Sequence, residues 1–200
     1  GELPEEEINA KCRKVLTYKY ILGLERKPFV KLSGLGTRIN TPQTRDLISR
    51  LNLAAITVLN NKNDVLPLHP DLKEAAILNV GKPEEIEPFD RKMKKYTSFA
   101  RFQLRKDLPE AEQQKLRDSL AAYRRVIVTV TEQRLAPYQS FFAKFAPESP
   151  VIYVFYTPAK SMLQIQRAVS AAEAVVLAHA SRDDVQERVA DLLFGKATAD

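Results

Sequence analysis

The sequence predicts an α/β fold, a mainly parallel sheet of five to six strands with helices on both faces (a three-layer α/β/α sandwich), preceded by a helix and a small β-hairpin. Two observations carry this expectation. From residue 74 onward, short β-branched runs alternate five times with amphipathic segments that have helix-start signals. The central runs are also almost continuously apolar, as strands covered on both faces should be. The first seventy residues lack this alternation.

In that leading part, INAKCRKVLTYKYILGL places Ile8, Cys12, Val15, Leu16 and Tyr20 at helical spacing and ends near Gly23. ERKPFVKLSGLGTRIN reads as an extended linker, and TPQTRDLISRLNLAAI opens a helix at Thr41 and Pro42. AITVLNNKNDVLPLHP (55–70) then has two short apolar arms around a polar tip. It reads as a hairpin whose second arm, carrying Pro67, is brief and at an edge.

The repeats begin with the strand EAAILNVG, followed by the helix PEEIEPFDRKMKKY with Pro83 in its first turn. TSFARFQLR is the second strand. In the next segment Asp107 and Glu110 have N-cap spacing, and Leu116, Leu120 and Tyr123 share a helical face. RRVIVTVT is the third strand, and Leu135, Tyr138, Phe142 and Phe145 form the stripe after it. PVIYVFYT is the fourth; Thr157 is expected to cap a helix with Pro158 at its first position and Met162, Ile165, Val169 and Ala172 inside. EAVVLAHA is the fifth, and Ser181 with Asp184 has capping-box spacing before Val185, Val189 and Leu192, with Gly195 as the stop. Sheets of this kind bind ligands at the carboxyl ends of their strands, near a topological switch point. The loops of interest are therefore 81–82, 106–108, 132–133, 158–160 and 179–183.

The composition, 44% hydrophobic and 28% charged over 200 residues, suits a globular chain, and no apolar run is long enough to span a bilayer. The opening GELPEEE has neither the basic region nor the apolar stretch of a signal peptide. Cys12 stands alone, so an internal disulfide framework is excluded. The net charge of +6 raises the question of nucleic acid. Its best cluster, RKMKKY, lies within an amphipathic helix beside the acidic PEEIEPFD and reads as a solvated face, so a nucleic-acid partner is not expected.

Tests for self-contained chemistry fail one after another. The turn after the first repeat strand is GKPEE, with one glycine where a nucleotide-binding fingerprint needs three, and the Gly34-Leu35-Gly36 triplet lies in the linker. Strand three ends in Thr129 and Thr131, not in magnesium-binding acids. His69 and His179 are far apart, so neither a metal nor any other cofactor is expected. No G-x-S-x-G elbow is present. Glu132 is the one carboxylate placed for acid–base work, although a solvated first-turn acid stabilised by the helix dipole explains it better. His179, Arg182 and Lys82 are candidates for a substrate rim.

Three spaced motifs then point to a family. KVLTYKYILGLERKPF (14–29) resembles the segment leaving the (β/α)8 barrel of glycoside hydrolase family 3. AITVLNNKNDVLPL, with Leu59, Asn60, Asn61, Lys62 and Leu66-Pro67-Leu68 in order, resembles the start of that family's second, α/β sandwich domain. AEAVVLAHASRDDVQERVADLLFGKATAD resembles its closing strand and helix. The resemblance covers nearly the whole chain but only the C-terminal part of such an enzyme, and its style is nearest the β-N-acetylglucosaminidase and β-glucosidase branches of bacterial proteins. It implies residues 1–40 as an end-of-barrel helix and linker, 41–68 as a helix and hairpin leading onward, and 69–200 as the sandwich.

The resemblance further implies an N-terminal barrel in the same polypeptide as partner, a β-linked saccharide as substrate of the whole enzyme, and a periplasmic or secreted setting. The family's aspartate nucleophile sits on the barrel. In its glucosidase branch an acid/base glutamate lies in an E-G-x-D-R-like sandwich loop; here EQRLAPYQ departs from that pattern, so Glu132 is a doubtful inheritor and no catalytic residue is assigned. A non-catalytic interaction or carbohydrate-binding module with the same fold is the alternative.

Overall fold

The computed structural model describes residues 4–26, 31–69, 72, 74–145 and 151–198. Residues 27–30 of the expected linker, Pro70 and Pro150 lie outside the described residues. The chain divides into two compact units, Gly1–Thr44 and Arg45–Asp200.

In the first unit, helix α1 (Glu5–Ile21) starts with three acids, Glu5, Glu6 and Glu7, at the end of the helix dipole that favours negative charge. It buries none of its residues; Val15, Leu16, Tyr18 and Tyr20 are all exposed, as is Cys12. A short helix α2 (Leu35–Ile39) follows. Helix α3 (Pro42–Ala54) begins at the end of this unit and lies mostly in the second; the backbone N–H of Thr44 donates to Thr41 Oγ1 at 3.1 Å and caps it as its sequence suggests.

The second unit is built on six strands: β1 (Thr57–Asn61), β2 (Ala75–Val80), β3 (Ala100–Leu104), β4 (Arg125–Val130), β5 (Val151–Phe155) and β6 (Ala174–Leu177). Their spatial order is β1-β6-β5-β4-β2-β3, with β2 to β6 parallel and β1 antiparallel to β6. Period-two alternation divides the core between two faces. On one, Ile77, Ile127, Ile152, Val154 and Val176 meet helices α4 (Glu87–Met93) and α8 (Asp183–Leu193) through Phe89, Met93, Val185 and Val189. On the other, Leu78, Val80, Val128, Tyr153 and Phe155 meet α5 (Glu110–Ala121), α6 (Gln139–Lys144) and α7 (Gln166–Ala171) through Leu120, Phe141, Phe142 and Val169. Burying each such side chain favours folding by about 1.5–3 kcal/mol.

A polar row crosses this apolar sheet. Asn79, 3% exposed, donates to Gln103 Oε1 at 2.9 Å and accepts from Thr129 Oγ1 at 3.2 Å. Asn79 is paired with Gln103 on β3 and Thr129 on β4, so the three polar residues lie side by side. A slip of one residue on either side would leave the Asn79 amide buried without partners.

The expected hairpin does not form. Only its first arm is a strand, β1, which joins the main sheet at its edge; Val65, Leu66 and Leu68 are buried but belong to no strand. Asn61 explains why. Its side chain accepts from the Leu66 N–H and donates to the Leu66 carbonyl, both at 2.9 Å, which satisfies the backbone that a second arm would have paired. Leu68 then donates to the Leu193 carbonyl at 2.6 Å, tying the segment to α8.

Three expected caps also differ. Helix α5 begins after Pro109 with no side-chain cap, so Asp107 does not serve; Glu110 pairs with Arg117 and Lys144, each at 2.8 Å. Thr157 is buried, and Pro158 holds the capping position of the 3₁₀ turn Ala159–Ile165 without a side-chain bond. Helix α8 is preceded by Arg182, one residue later than the capping box requires. Ser181 Oγ donates instead to the Glu85 carbonyl, and Asp184 takes Arg182 and Ser49. For Ser181 a partner from another element has captured the hydroxyl, whereas the buried Thr157 hydroxyl has no hydrogen-bond partner among the described residues.

Two outcomes follow. Asn61→Ala removes both bonds to Leu66 and should lower stability by about 1–2 kcal/mol, measured by urea unfolding. The amides of α1 should exchange far faster than those of β4 and β5, because a helix without a buried face has little beyond its own propensity to hold it. Equal protection in the monomer would contradict this.

Candidate functional site

The order of the parallel strands places the switch point between β2 and β4, whose successors depart in opposite directions. Register brings Leu104, Val80, Val130, Phe155 and Leu177 into one row, so all five following loops leave the sheet at a single edge. The ladder continues just past the strand ends. Thr131 and Glu132 both donate to the Val80 carbonyl, at 3.0 and 3.2 Å, and Tyr156 donates to the Val130 carbonyl at 2.9 Å.

Gly81 is required at this junction. Its φ is +141°, and a Cβ there would lie 1.9 Å from Thr131 Oγ1. Two clefts open on this edge. The first, about 830 Å³, lies at the switch point and is lined by Lys82, Glu85, Lys106, Glu132, Arg134 and Lys160, with Tyr138 in its wall. The second, about 590 Å³, adjoins it through Glu85, Thr131 and Gln133 and reaches Tyr156, His179 and Ser181.

Two glutamines hold the walls. Gln164 accepts from the Leu135 N–H at 2.8 Å and donates to the Gln133 carbonyl at 2.9 Å, fastening the loop after β4 to the turn after β5. Gln186, 1% exposed, accepts from the Phe89 N–H and donates to the Glu85 carbonyl at 2.8 Å, joining the loop after β2 to α8. Burial, then the nearby Glu132 and Asp107 carboxylates, raise the pKa of Tyr138, so its phenol stays protonated in the first cleft.

The residues singled out from the sequence separate here. Lys82 and Glu132 share the first cleft, where Glu132 Oε1 accepts from the Arg134 N–H at 3.1 Å. His179 lines the second, exposed and with φ of 62°, in a tight turn closed by the Ala180 N–H on the Ala178 carbonyl at 2.7 Å. Arg182 lines neither; its guanidinium pairs with Asp184 at 3.1 Å. Burial opposes ionisation of Asp184, but hydrogen bonds from Arg182 and Ser49 outweigh it and lower the pKa. Arg134 and the glutamines escaped the sequence reading, and Tyr138, expected in the helical stripe, also lines the cleft. Arg134 could have been found as the cation two residues beyond Glu132, whereas the glutamines act through loops distant in sequence. Among the described residues, no group of three or more His, Cys, Asp or Glu could hold a metal ion. No described helix is long and apolar enough to cross a membrane.

No protein-family model matches the chain. A lysosomal β-glucosidase of Dictyostelium discoideum is 30% identical over 79 residues, 39% of this chain and 10% of that protein. Among solved structures, a β-glucoside phosphorylase, BglX, bound to 2FGlc superposes with a TM-score of 0.65 at 18% identity, over 98% of this chain and 38% of that one. A glycoside hydrolase family 3 β-N-acetylglucosaminidase from Paenibacillus gives 0.59 at 15% identity, over 98% of this chain and 39% of that one. A β-glucosidase from Listeria innocua with gluconolactone gives 0.59 at 17%, over 98% and 31%. The chain thus has the fold of one part of these enzymes and spans under two-fifths of each of those structures.

The Gly81 junction can be tested directly. Gly81→Ala should destabilise the chain by about 2–3 kcal/mol, from backbone strain and the clash with Thr131. Adding Thr131→Ala should recover part of that loss in thermal unfolding. Full stability of the single variant would refute the close approach.

Proposed function

We propose that this chain is an accessory, C-terminal sandwich domain of a glycoside hydrolase family 3 enzyme that hydrolyses β-O-glycosidic bonds. The observation that carries the proposal is the fold match over 98% of the chain to enzymes more than twice its length, one of them a β-N-acetylglucosaminidase of that family. The three sequence motifs, in the family's order, support the same reading. In this reading α1 belongs beside a barrel, which accounts for its exposed Val15, Leu16 and Tyr20. The edge carrying Lys82 and His179 contributes to the rim of the sugar site.

Hydrolysis with retention needs two carboxyl groups about 5 Å apart across the bond, one attacking the anomeric carbon and one protonating the leaving oxygen. The family resemblance assigns the first to the barrel. Glu132 remains the one candidate for the second, engaged with its own loop through Arg134.

The test compares this chain with the polypeptide encoded by its complete reading frame, in release of p-nitrophenol from a panel of β-glycosides that includes the N-acetyl-β-glucosaminide. The longer protein should turn over and this chain should not, since loss of a nucleophile costs several orders of magnitude in rate. Turnover by the chain that disappears in Glu132→Gln would overturn the accessory role. A longer protein without activity would favour an interaction or carbohydrate-binding module.

A further inference from the structure

The cleft at the switch point carries an excess of positive charge. Lys82, Lys106, Arg134 and Lys160 line it against two acids, Glu85 and Glu132. None of the four cations makes an ion pair among the described residues. Several cations on the helices are instead paired: Arg91 with Glu187 at 3.1 Å, Lys92 with Asp191 at 2.9 Å, and Lys144 with Glu110 at 2.8 Å. The basic run of α4 is thus matched by α8, whereas the four cations that converge on the cleft are left unpaired.

We propose that this cleft binds a small anion, the phosphate ester or carboxylate of a sugar-sized ligand. A concave site lined mostly by one sign of charge focuses the field and draws in the opposite charge. Ammonium and guanidinium groups are donors only, and the Arg134 fork suits an oxyanion. The protonated Tyr138 phenol adds another donor to the wall. A cation would meet four like charges against the Glu85 and Glu132 carboxylates of the lining and Asp107 nearby, and Glu132 already accepts from the Arg134 N–H. The volume, about 830 Å³, lies within the roughly 300–1,000 Å³ usual for small-molecule sites. This inference goes beyond the hydrolase reading and stands without a barrel.

Amide-resolved NMR titration of the 200-residue chain tests it, with glucose-6-phosphate, glucuronate, inorganic phosphate and neutral glucose as probes. The charged sugars should shift the amides of Gly81, Lys82, Glu132 and Arg134, bind at least about tenfold more tightly than glucose, and weaken as salt rises. Stronger binding of glucose-6-phosphate than of glucuronate identifies a phosphate-ester site, and the reverse a carboxylate site. The exposed pair Lys82→Gln/Arg134→Gln should lose about tenfold in affinity, while Lys94→Gln/Lys95→Gln, with the same change in net charge, should not. Glucose binding as tightly as the charged probes, shifts mapping elsewhere, or equal losses in both double variants would each overturn the proposal.

Discussion

Asn79 lies on β2, between β4 and the edge strand β3, 3% exposed, and its amide is satisfied only if those two strands stand in one particular register beside β2. Apolar residues tolerate a two-residue slip because the same face stays inward, whereas a buried amide without partners carries a penalty of about 1–3 kcal/mol. Gln103 extends this control to the strand end by donating to the Gly81 carbonyl at 2.7 Å. Leu104, Val80 and Val130 stand level through that register, and Phe155 and Leu177 continue the row on β5 and β6, which sets the common level at which five loops leave the sheet. Both clefts depend on it.

From that edge outward, charge is divided by function. The helices on the α4 and α8 side are joined by paired groups, including Tyr96 on Asp191, where burial and then the Asp191 hydrogen bond raise the tyrosine pKa to about 12. On the other side Arg117, 6% exposed at its side chain, bonds Glu110 and lies 5.5 Å from the centre of the Phe141 ring, linking α5 to α6. Such pairs organise packing more than they stabilise it. The cations at the loop edge have no such task. The convergence of four unpaired cations on one cleft, rather than the net charge of +6, makes the switch-point cleft a place for an anionic group.

The strands were legible because their signal is dense. Runs such as VIVTV and VIYVF are apolar at nearly every position, and only a strand covered on both faces accommodates that over so short a length. Caps were less legible. Asp107, Thr157 and Ser181 have the right side chains at plausible spacings, yet each helix or 3₁₀ turn starts without them. A cap contributes about 1 kcal/mol, and a partner from another element overrides it readily, as Glu85 does for Ser181. The hairpin was misread for a related reason. The Asn61 side chain replaces a second strand by bonding both backbone groups of Leu66, a choice that strand periodicity does not register.

The sequence by itself determined the class of fold, the number and position of the parallel strands, and the five loops at which a ligand could be met, because hydrophobic periodicity is a local property of the chain. It also carried the family resemblance through ordered motifs. Tertiary structure alone decided that β1 runs antiparallel to β6 at the edge and that the switch point falls between β2 and β4. It likewise decided that Lys82, Lys106, Arg134 and Lys160, spread over nearly eighty residues of chain, surround one cleft, whereas Arg182 turns to Asp184. Strand order and side-chain pairing arise from contacts between segments distant in sequence, and no local pattern encodes which of several cations finds a carboxylate first.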